Sequence, residues 1–324
     1  MADIMSEKVI SKNISGLNYQ RPRKSKSSGL YAGQWHFWLL ISLPLIYIIV
    51  FNYIPMAGII LAFKNYNSSL GIFKSPNVGF KFFEQFLRTP SSNRVIWNTL
   101  RIGLYSLAVG FPFPILLAVL LNEVQIIPFK KTVQMVTYAP YFISTVVLVG
   151  MLMQLTDLRN GIINQIIVSL GGKPVNFFGK GNIFDHLYVW SGVWQGAGYG
   201  SIIYIAALTG VSQELKEAAI VDGATRLKRI WHVDLPGIAP TIVMMLIFNV
   251  GSIMNIGFEK VYLMQNPVNK QMSDIISTFV YRVGLQNGNY SFSTAIGVFN
   301  SVVSLILFWI ANTLSRKLSD TSIW

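Results

Sequence analysis

The chain has 324 residues, of which 52% are hydrophobic and only 12% charged, and its mean hydropathy is +0.48. Soluble domains carry about 25% charged residues, so this composition excludes an ordinary soluble protein and predicts an all-α polytopic membrane protein. The formal net charge of +13 is spread through loops and an N-terminal arm, which favours anionic lipid headgroups over nucleic acid as the charged partner. The absence of cysteine excludes disulfides and thiolate sites, and the three histidines (His36, His186, His232) are too far apart in sequence to suggest a metal site.

Residues 1–34 form a basic arm with Arg21, Arg23, Lys24 and Lys26, and lack the apolar core of a cleavable signal. The membrane domain is expected over 35–324, with six transmembrane helices at about 35–63, 98–122, 132–155, 186–208, 238–256 and 292–314. Trp35 and Trp38 suit an interface, and Pro44 and Pro55 are expected to kink or end the first span. The fourth span carries Gly192, Gly196 and Gly200 at four-residue spacing, a stripe expected to permit close helix packing. Six spans put both termini on one side. Lys and Arg number 14 on that side and 11 on the other, with Arg101 inside the second span, so the bias places the termini and the 211–236 loop in the cytoplasm.

That loop reads EAAIVDGATRLKRIWHVDLP from Glu217 to Pro236. Ser212 is a candidate helix N-cap, Gly223 suits a left-handed helix end, and Thr225 is placed to cap a second short helix. Leu235-Pro236 predicts a break before the fifth span. Taken on periodicity alone, the segment is an amphipathic connector between two spans. Its residues Glu217, Ala218, Ala219, Asp222, Gly223, Ala224, Leu235 and Pro236, however, resemble the coupling motif of ABC importer permeases, without gaps.

Further residues carry the same resemblance. Asn98-Thr99-Leu100 and Leu121-Asn122 look like the opening of the transport core shared by many importers. Pro140 to Ser144, Gly161 and Asn164, Gly257-Phe258-Glu259-Lys260, Tyr281-Arg282-Val283-Gly284, Ala311-Asn312 and Trp324 are similar to the polysaccharide and complex-oligosaccharide branch of carbohydrate permeases. Within that branch the chain looks most like the permease of a bacterial alginate importer. The resemblance implies a type I ABC importer permease fold with a cytoplasmic coupling helix, sited in the bacterial cytoplasmic (inner) membrane. It implies two ATPase subunits, a second homologous permease in a heterodimer, an extracytoplasmic solute-binding protein and an oligo- or polysaccharide substrate. No cofactor is expected on this chain. It has no G-x-x-x-x-G-K-[ST] phosphate loop, Gly171-Gly172-Lys173-Pro174 being a turn, so ATP and magnesium are expected on the partner ATPases. His232 and Asp234 fall at positions that vary among relatives and are assigned no role.

A sugar pathway needs buried hydroxyl-pairing groups and flat apolar faces, both costly in lipid unless they line a cavity or another helix. Gln195 and Tyr199 share one face of the fourth span, with Trp194 beside them; Asn249 and Ser252 share a stripe of the fifth, bordered by Asn255. By analogy with maltose-type relatives these four are pathway candidates, and interhelical hydrogen bonding is the competing role. Arg101 either snorkels to the interface or attracts an anionic sugar acid, whose approach the basic outer loops would assist. Glu259 and Lys260 are read as structural or interfacial. A membrane-embedded glycosyl-transfer enzyme would need paired carboxylates or a metal cluster, whereas Asp157, Asp185 and Glu259 stand isolated in the sequence. A passive sugar channel leaves the coupling motif unexplained.

Overall fold

Long apolar runs interrupted by prolines become helices with local irregularities rather than straight rods, because each proline removes one backbone donor. The structure, a computed structural model, describes residues 35–319; the basic arm 1–34 and the terminal Trp324 lie outside the described residues. Among the described residues the chain is nearly all helical, with one isolated antiparallel bridge between Lys64 and Asn77. It divides into two units at Ala57/Gly58.

In the first unit, α1 (Trp35–Ile48) runs through Pro44 and continues as a π-helical turn over Ile49–Tyr53. There the Ile54 amide donates to Ile49 O, so the helix widens just before Pro55, which has no amide to give. Pro55, expected to kink or end the span, is accommodated by this π turn, and the helical run continues to Phe63. No residue of α1 is buried, and its apolar side chains surround the axis, as in a membrane span.

The second unit contains α2 (Lys81–Arg88), α3 (Pro90–Gly110), α4 (Pro112–Glu123), α5 (Ile127–Tyr138), α6 (Thr145–Leu155), α7 (Gly181–Thr209), α8 (Gln213–Val221), α9 (Arg226–Arg229), α10 (Leu235–Gly251), α11 (Phe258–Met264), α12 (Ile276–Tyr281) and α13 (Tyr290–Ser319). Four helical runs are long and apolar enough to cross a bilayer: Trp35–Phe63, Pro90–Glu123, Arg226–Gly251 and Tyr290–Lys317. A fifth is α5 with α6 if that pair is one span, bent by 100° at the break after Phe142. Pro140 sits in the 3-10 turn before the bend, and Ser144 caps α6 by accepting from the Val147 amide. The 29 residues of α7 extend about 43 Å, longer than a hydrocarbon core of about 30 Å. Its glycines, Gln195 and Tyr199 make it less apolar than the others, and Trp190, Trp194, Ile202 and Ile203 on it are exposed.

Helix α7 packs against α3, α4 and α5. The closest approach is at Gly198, where a Cβ would stand 2.0 Å from Thr137 O. The predicted small-residue stripe gives the expected close packing only at Gly200, where a Cβ would stand 3.2 Å from Pro114. Gly200 faces Pro114, Gly192 faces the Lys260 ammonium, and a Cβ on Gly196 would meet nothing within 4 Å. Gly198, outside the stripe, makes the helix crossing, while Gly192 and Gly196 leave space.

Three apolar clusters fasten the bundle. One joins α2, α3, α12 and α13 around Phe86, which is 1% exposed and meets the rings of Phe279, Phe292 and Phe299. The second gathers Ile102, Phe184, Val261 and Met264, and the third Ala118, Tyr204, Leu208 and Ile238. Phe86→Ala is expected to cost about 3–5 kcal/mol, read as a lowered unfolding midpoint of the solubilised protein.

Several of the quoted motif residues build loops. The Asn164 amide donates to Thr156 O, Asp157 O and Val175 O, and its carbonyl accepts from the Val175 amide. A Cβ at Gly161 would stand 2.4 Å from Asp157 N, so only glycine fits. The amides of Asn160 and Arg159 hold the Asp157 carboxyl below its usual range. Arg282 pairs with the buried Asp274, which lies between α11 and α12.

Candidate functional site

Two regions carry the candidate residues, and the first is the loop from 211 to 236. After α7 ends, α8 is set by Ser212, which occupies the N-cap position without a side-chain hydrogen bond. Gly223 adopts φ +73°. Its amide donates to Ile220 O, and the Ala224 amide reaches back to Ala219 O at 2.9 Å, the closed turn a left-handed glycine permits. Thr225 caps α9 by accepting from the Lys228 amide at 3.4 Å. The expected break at Leu235-Pro236 is not found: Arg226–Gly251 runs as one helix. A π-helical turn over Ile230–Asp234 precedes Pro236: the Leu235 amide donates to Ile230 O, so the helix widens just before the residue that has no amide to give.

The loop is tied from beneath. Lys216 Nζ of α8 lies 3.1 Å from Oδ1 of Asp234, a carboxylate 1% exposed. Arg229 reaches Glu123 at the end of α4, 3.5 Å away. A Cβ on Gly237 would press on Val211 at 2.7 Å, so the root of α10 abuts the entry to α8. Asp234, assigned no role from the sequence, is thus the buried anchor of the loop helix. Of the motif residues, Glu217, Ala218, Asp222, Gly223 and Pro236 are exposed, while Ala219, Ala224 and Leu235 are half-buried. Beside them Leu215, Ile220, Leu227, Trp231 and Val221 (86% exposed) present apolar surface.

The second region is a pair of cavities between α3, α7, α10 and α11, sharing Ser106 and Tyr188 in their walls. One, of about 190 Å³, is lined by Asn249, Ser252 and Asn255. The other, of about 380 Å³, is lined by Gln195, Gly192, Gly196 and Lys260. The Gln195 amide donates to Ile143 O at 2.8 Å, Asn249 donates to Met245 O, and Ser252 to Phe248 O. Asn255 accepts from Asn300 at 3.0 Å.

Tyr199 and Arg101 line neither cavity. Tyr199 stacks on Tyr141, with ring centroids 3.9 Å apart and planes within 6°. Arg101 forms a two-point pair with Asp185, at 2.6 and 3.0 Å, and donates to Met272 O. Asp185, isolated in the sequence, therefore has a partner 84 residues away. Arg101→Gln is expected to destabilise the protein by about 3 kcal/mol, the cost of stranding a partly buried carboxylate, and adding Asp185→Asn should recover most of that. Thermal unfolding of the single and double variants checks this. A substrate-attracting Arg101 would instead show a transport loss that the double variant does not repair. Lys260 and Ser106 were missed as cavity residues. The signal for Lys260, a basic residue closing the Gly257-Phe258-Glu259-Lys260 motif just past a span, was present in the sequence.

A multi-span bundle with a tethered, apolar-faced loop helix and a polar cavity between its helices defines a membrane transport subunit. Residues 103–320 match the family described as the binding-protein-dependent transport system inner membrane component, and the chain belongs to that family. It is 43% identical over 291 residues to the polygalacturonan/rhamnogalacturonan transport system permease protein YteP of Bacillus subtilis, covering 90% of this chain and 91% of YteP. It is 40% identical over 297 residues to protein LplB of the same organism, covering 92% and 93%. The structure is similar to that of a bacterial ABC transporter involved in the import of the acidic polysaccharide alginate, with TM-score 0.81, 36% identity and coverage of 90% and 99%. It is also similar to a bacterial alginate ABC transporter in complex with alginate pentasaccharide-bound periplasmic protein, with TM-score 0.83, 35% identity and coverage of 92% and 100%. The chain has the type I ABC permease fold and is a multi-pass inner-membrane transport subunit, not an enzyme.

Proposed function

We propose that this permease imports oligo- or polysaccharides containing uronic acids, alginate-like chains among them. The observation that supports the acidic class is the agreement between two relatives found independently, one by structure and one by sequence. One serves import of the acidic polysaccharide alginate; the other is the permease of a polygalacturonan/rhamnogalacturonan transport system, and a galacturonan is a chain of uronic-acid residues. An extracytoplasmic binding protein delivers the sugar, and a second, homologous permease completes the pathway as a heterodimer. Two ATPase subunits carry ATP and magnesium, none of which this chain binds, and one of them docks on α8. Both termini and the 211–236 loop face the cytoplasm, a reading supported by the Lys and Arg bias. Closure of the ATPase pair moves α8, and α8 rocks the spans about the cavities. The pathway candidates are Gln195, Asn249 and Ser252 in the cavity walls. Tyr199 with its stacked Tyr141 offers a flat face for a sugar ring.

The test is ATP hydrolysis by the purified complex in liposomes, with its binding protein and a panel of acidic and neutral oligosaccharides. Stimulation by uronate chains and not by neutral ones is the expected result. Stimulation by neutral sugars alone would overturn the acidic class while keeping the importer. Failure of any ATPase to co-purify would overturn the proposed complex.

A further inference from the structure

The larger cavity contains a cation with no counter-charge. Lys260 lies on α11, whose next residue Val261 is fully buried, as is Met264 one turn on; this apolar anchoring draws Lys260 inward until it is 9% exposed. Its ammonium donates to Tyr188 O at 2.9 Å and sits 4.7 Å from the centre of the Tyr188 ring. Gly192 gives it room, since a Cβ there would stand 3.4 Å from Nζ. Among the described residues no carboxylate comes within 4.0 Å of this ammonium, and the neighbouring acid, Glu259, is exposed.

An ammonium has three donors, and one carbonyl leaves two unused. Burying a charge without an opposite charge is costly, and in membrane proteins such a residue marks a place where a charged ligand passes. A second group in the same wall is also unsatisfied: Ser106 Oγ is buried and has no hydrogen-bond partner. The cavity volume of about 380 Å³ falls within the range of about 300–1,000 Å³ typical of small-ligand pockets. Open space above Gly196 lets a flat ring approach the α7 backbone.

We propose that Lys260 and Ser106 form a carboxylate subsite that holds the uronate group of the sugar in transit. Lys260 supplies charge and two N–H donors, and Ser106 supplies an O–H. Gln195 in the same wall stands where it can meet the ring hydroxyls. This assignment rests on the acidic-saccharide reading above. It moves the anion-reading role from Arg101, already neutralised by Asp185, to a residue that the sequence reading treated as structural.

The experiment uses the whole complex in nanodiscs, with the binding protein left out because that protein has its own specificity. The probes are a uronate trisaccharide and the same trisaccharide with its carboxyl groups reduced to alcohols. The wild type is expected to bind the acid about tenfold more tightly than the reduced sugar, and Lys260→Met to lose that tenfold while binding the reduced sugar unchanged. Lys260→Arg should retain part of the preference. Equal weakening of both sugars, or an unchanged preference, in Lys260→Met would overturn the subsite and leave Lys260 a packing residue. A wild type without preference for the acid, or binding neither sugar, would overturn the subsite as well. Uronate-specific stimulation of ATP hydrolysis in liposomes would then show whether the acidic-saccharide reading itself survives. Should Lys260→Met fail to assemble, Ser106→Ala carries the test, with a loss of about threefold confined to the acid expected and equal effects on both sugars overturning it.

Discussion

Gly223→Pro is expected to abolish sugar transport while leaving delivery by the binding protein intact. Gly223 holds φ +73°, a region that costs a non-glycine L-residue about 1–2 kcal/mol and that proline, fixed near −65°, cannot enter. Proline also removes the amide that closes on Ile220 O and displaces the Ala224-to-Ala219 bond behind it. The turn then opens, and α9 no longer leaves α8 at the angle that places Arg229 against Glu123. Gly223→Ala should be milder, since a Cβ there meets no neighbour and only the backbone preference is opposed. A bulky residue at Ala219, half-buried in the same turn, should act like the proline. The measurement is sugar-stimulated ATP hydrolysis by the reconstituted complex, paired with binding of the loaded binding protein. Full stimulation in Gly223→Pro would sink the idea that α8 acts as a rigid lever.

The elements legible in the sequence are those with local causes. The left-handed Gly223 and the Thr225 cap follow from rules that span three or four residues, and the structure places both as the sequence reading expects. The spans follow from long apolar runs; α7, expected over 186–208, is less uniformly apolar because glycines and polar residues interrupt its run. Contacts between distant elements were not legible. Periodicity puts Gly192, Gly196 and Gly200 on one face but does not say what that face meets, and here Gly192 and Gly196 meet an open cavity while Gly198 makes the close crossing. The partner of Arg101 lies on α7, and the partner of Lys216 is the last residue of a π-helical segment, beyond a turn and α9. Leu235-Pro236 looked like a break because proline usually ends helices. The π turn over Ile230–Asp234 instead widens the helix just before Pro236, so the missing amide is accommodated without a break. From the sequence Asp234 is assigned no role because its position varies among relatives, and Lys260 reads as structural or interfacial; the burial of both depends on packing that no short window reveals.

The ion pair between α8 and the root of α10 yields an asymmetric prediction. Lys216 is 21% exposed in its side chain and Asp234 only 1%. If Asp234 is replaced by alanine, Lys216 can turn outward into water, and the loss is modest. If Lys216 is replaced by methionine, the carboxylate remains buried without its counter-charge, which costs about 3–5 kcal/mol. The inexpensive way out is for α8 to swing away and admit water to Asp234. That motion would detach the lever from the span it is proposed to drive, so Lys216→Met should hydrolyse ATP without moving sugar. Lys216→Met combined with Asp234→Asn removes the stranded charge, and it should recover much of the stability and part of the transport. Transport per ATP hydrolysed, measured in liposomes for the two single variants and the double variant, checks the ordering. Equal defects in Asp234→Ala and Lys216→Met, or a double variant no better than Lys216→Met, would mean that the pair fixes local packing alone and that force reaches the spans by another route, with the Arg229–Glu123 pair at the end of α4 as the next strut to remove.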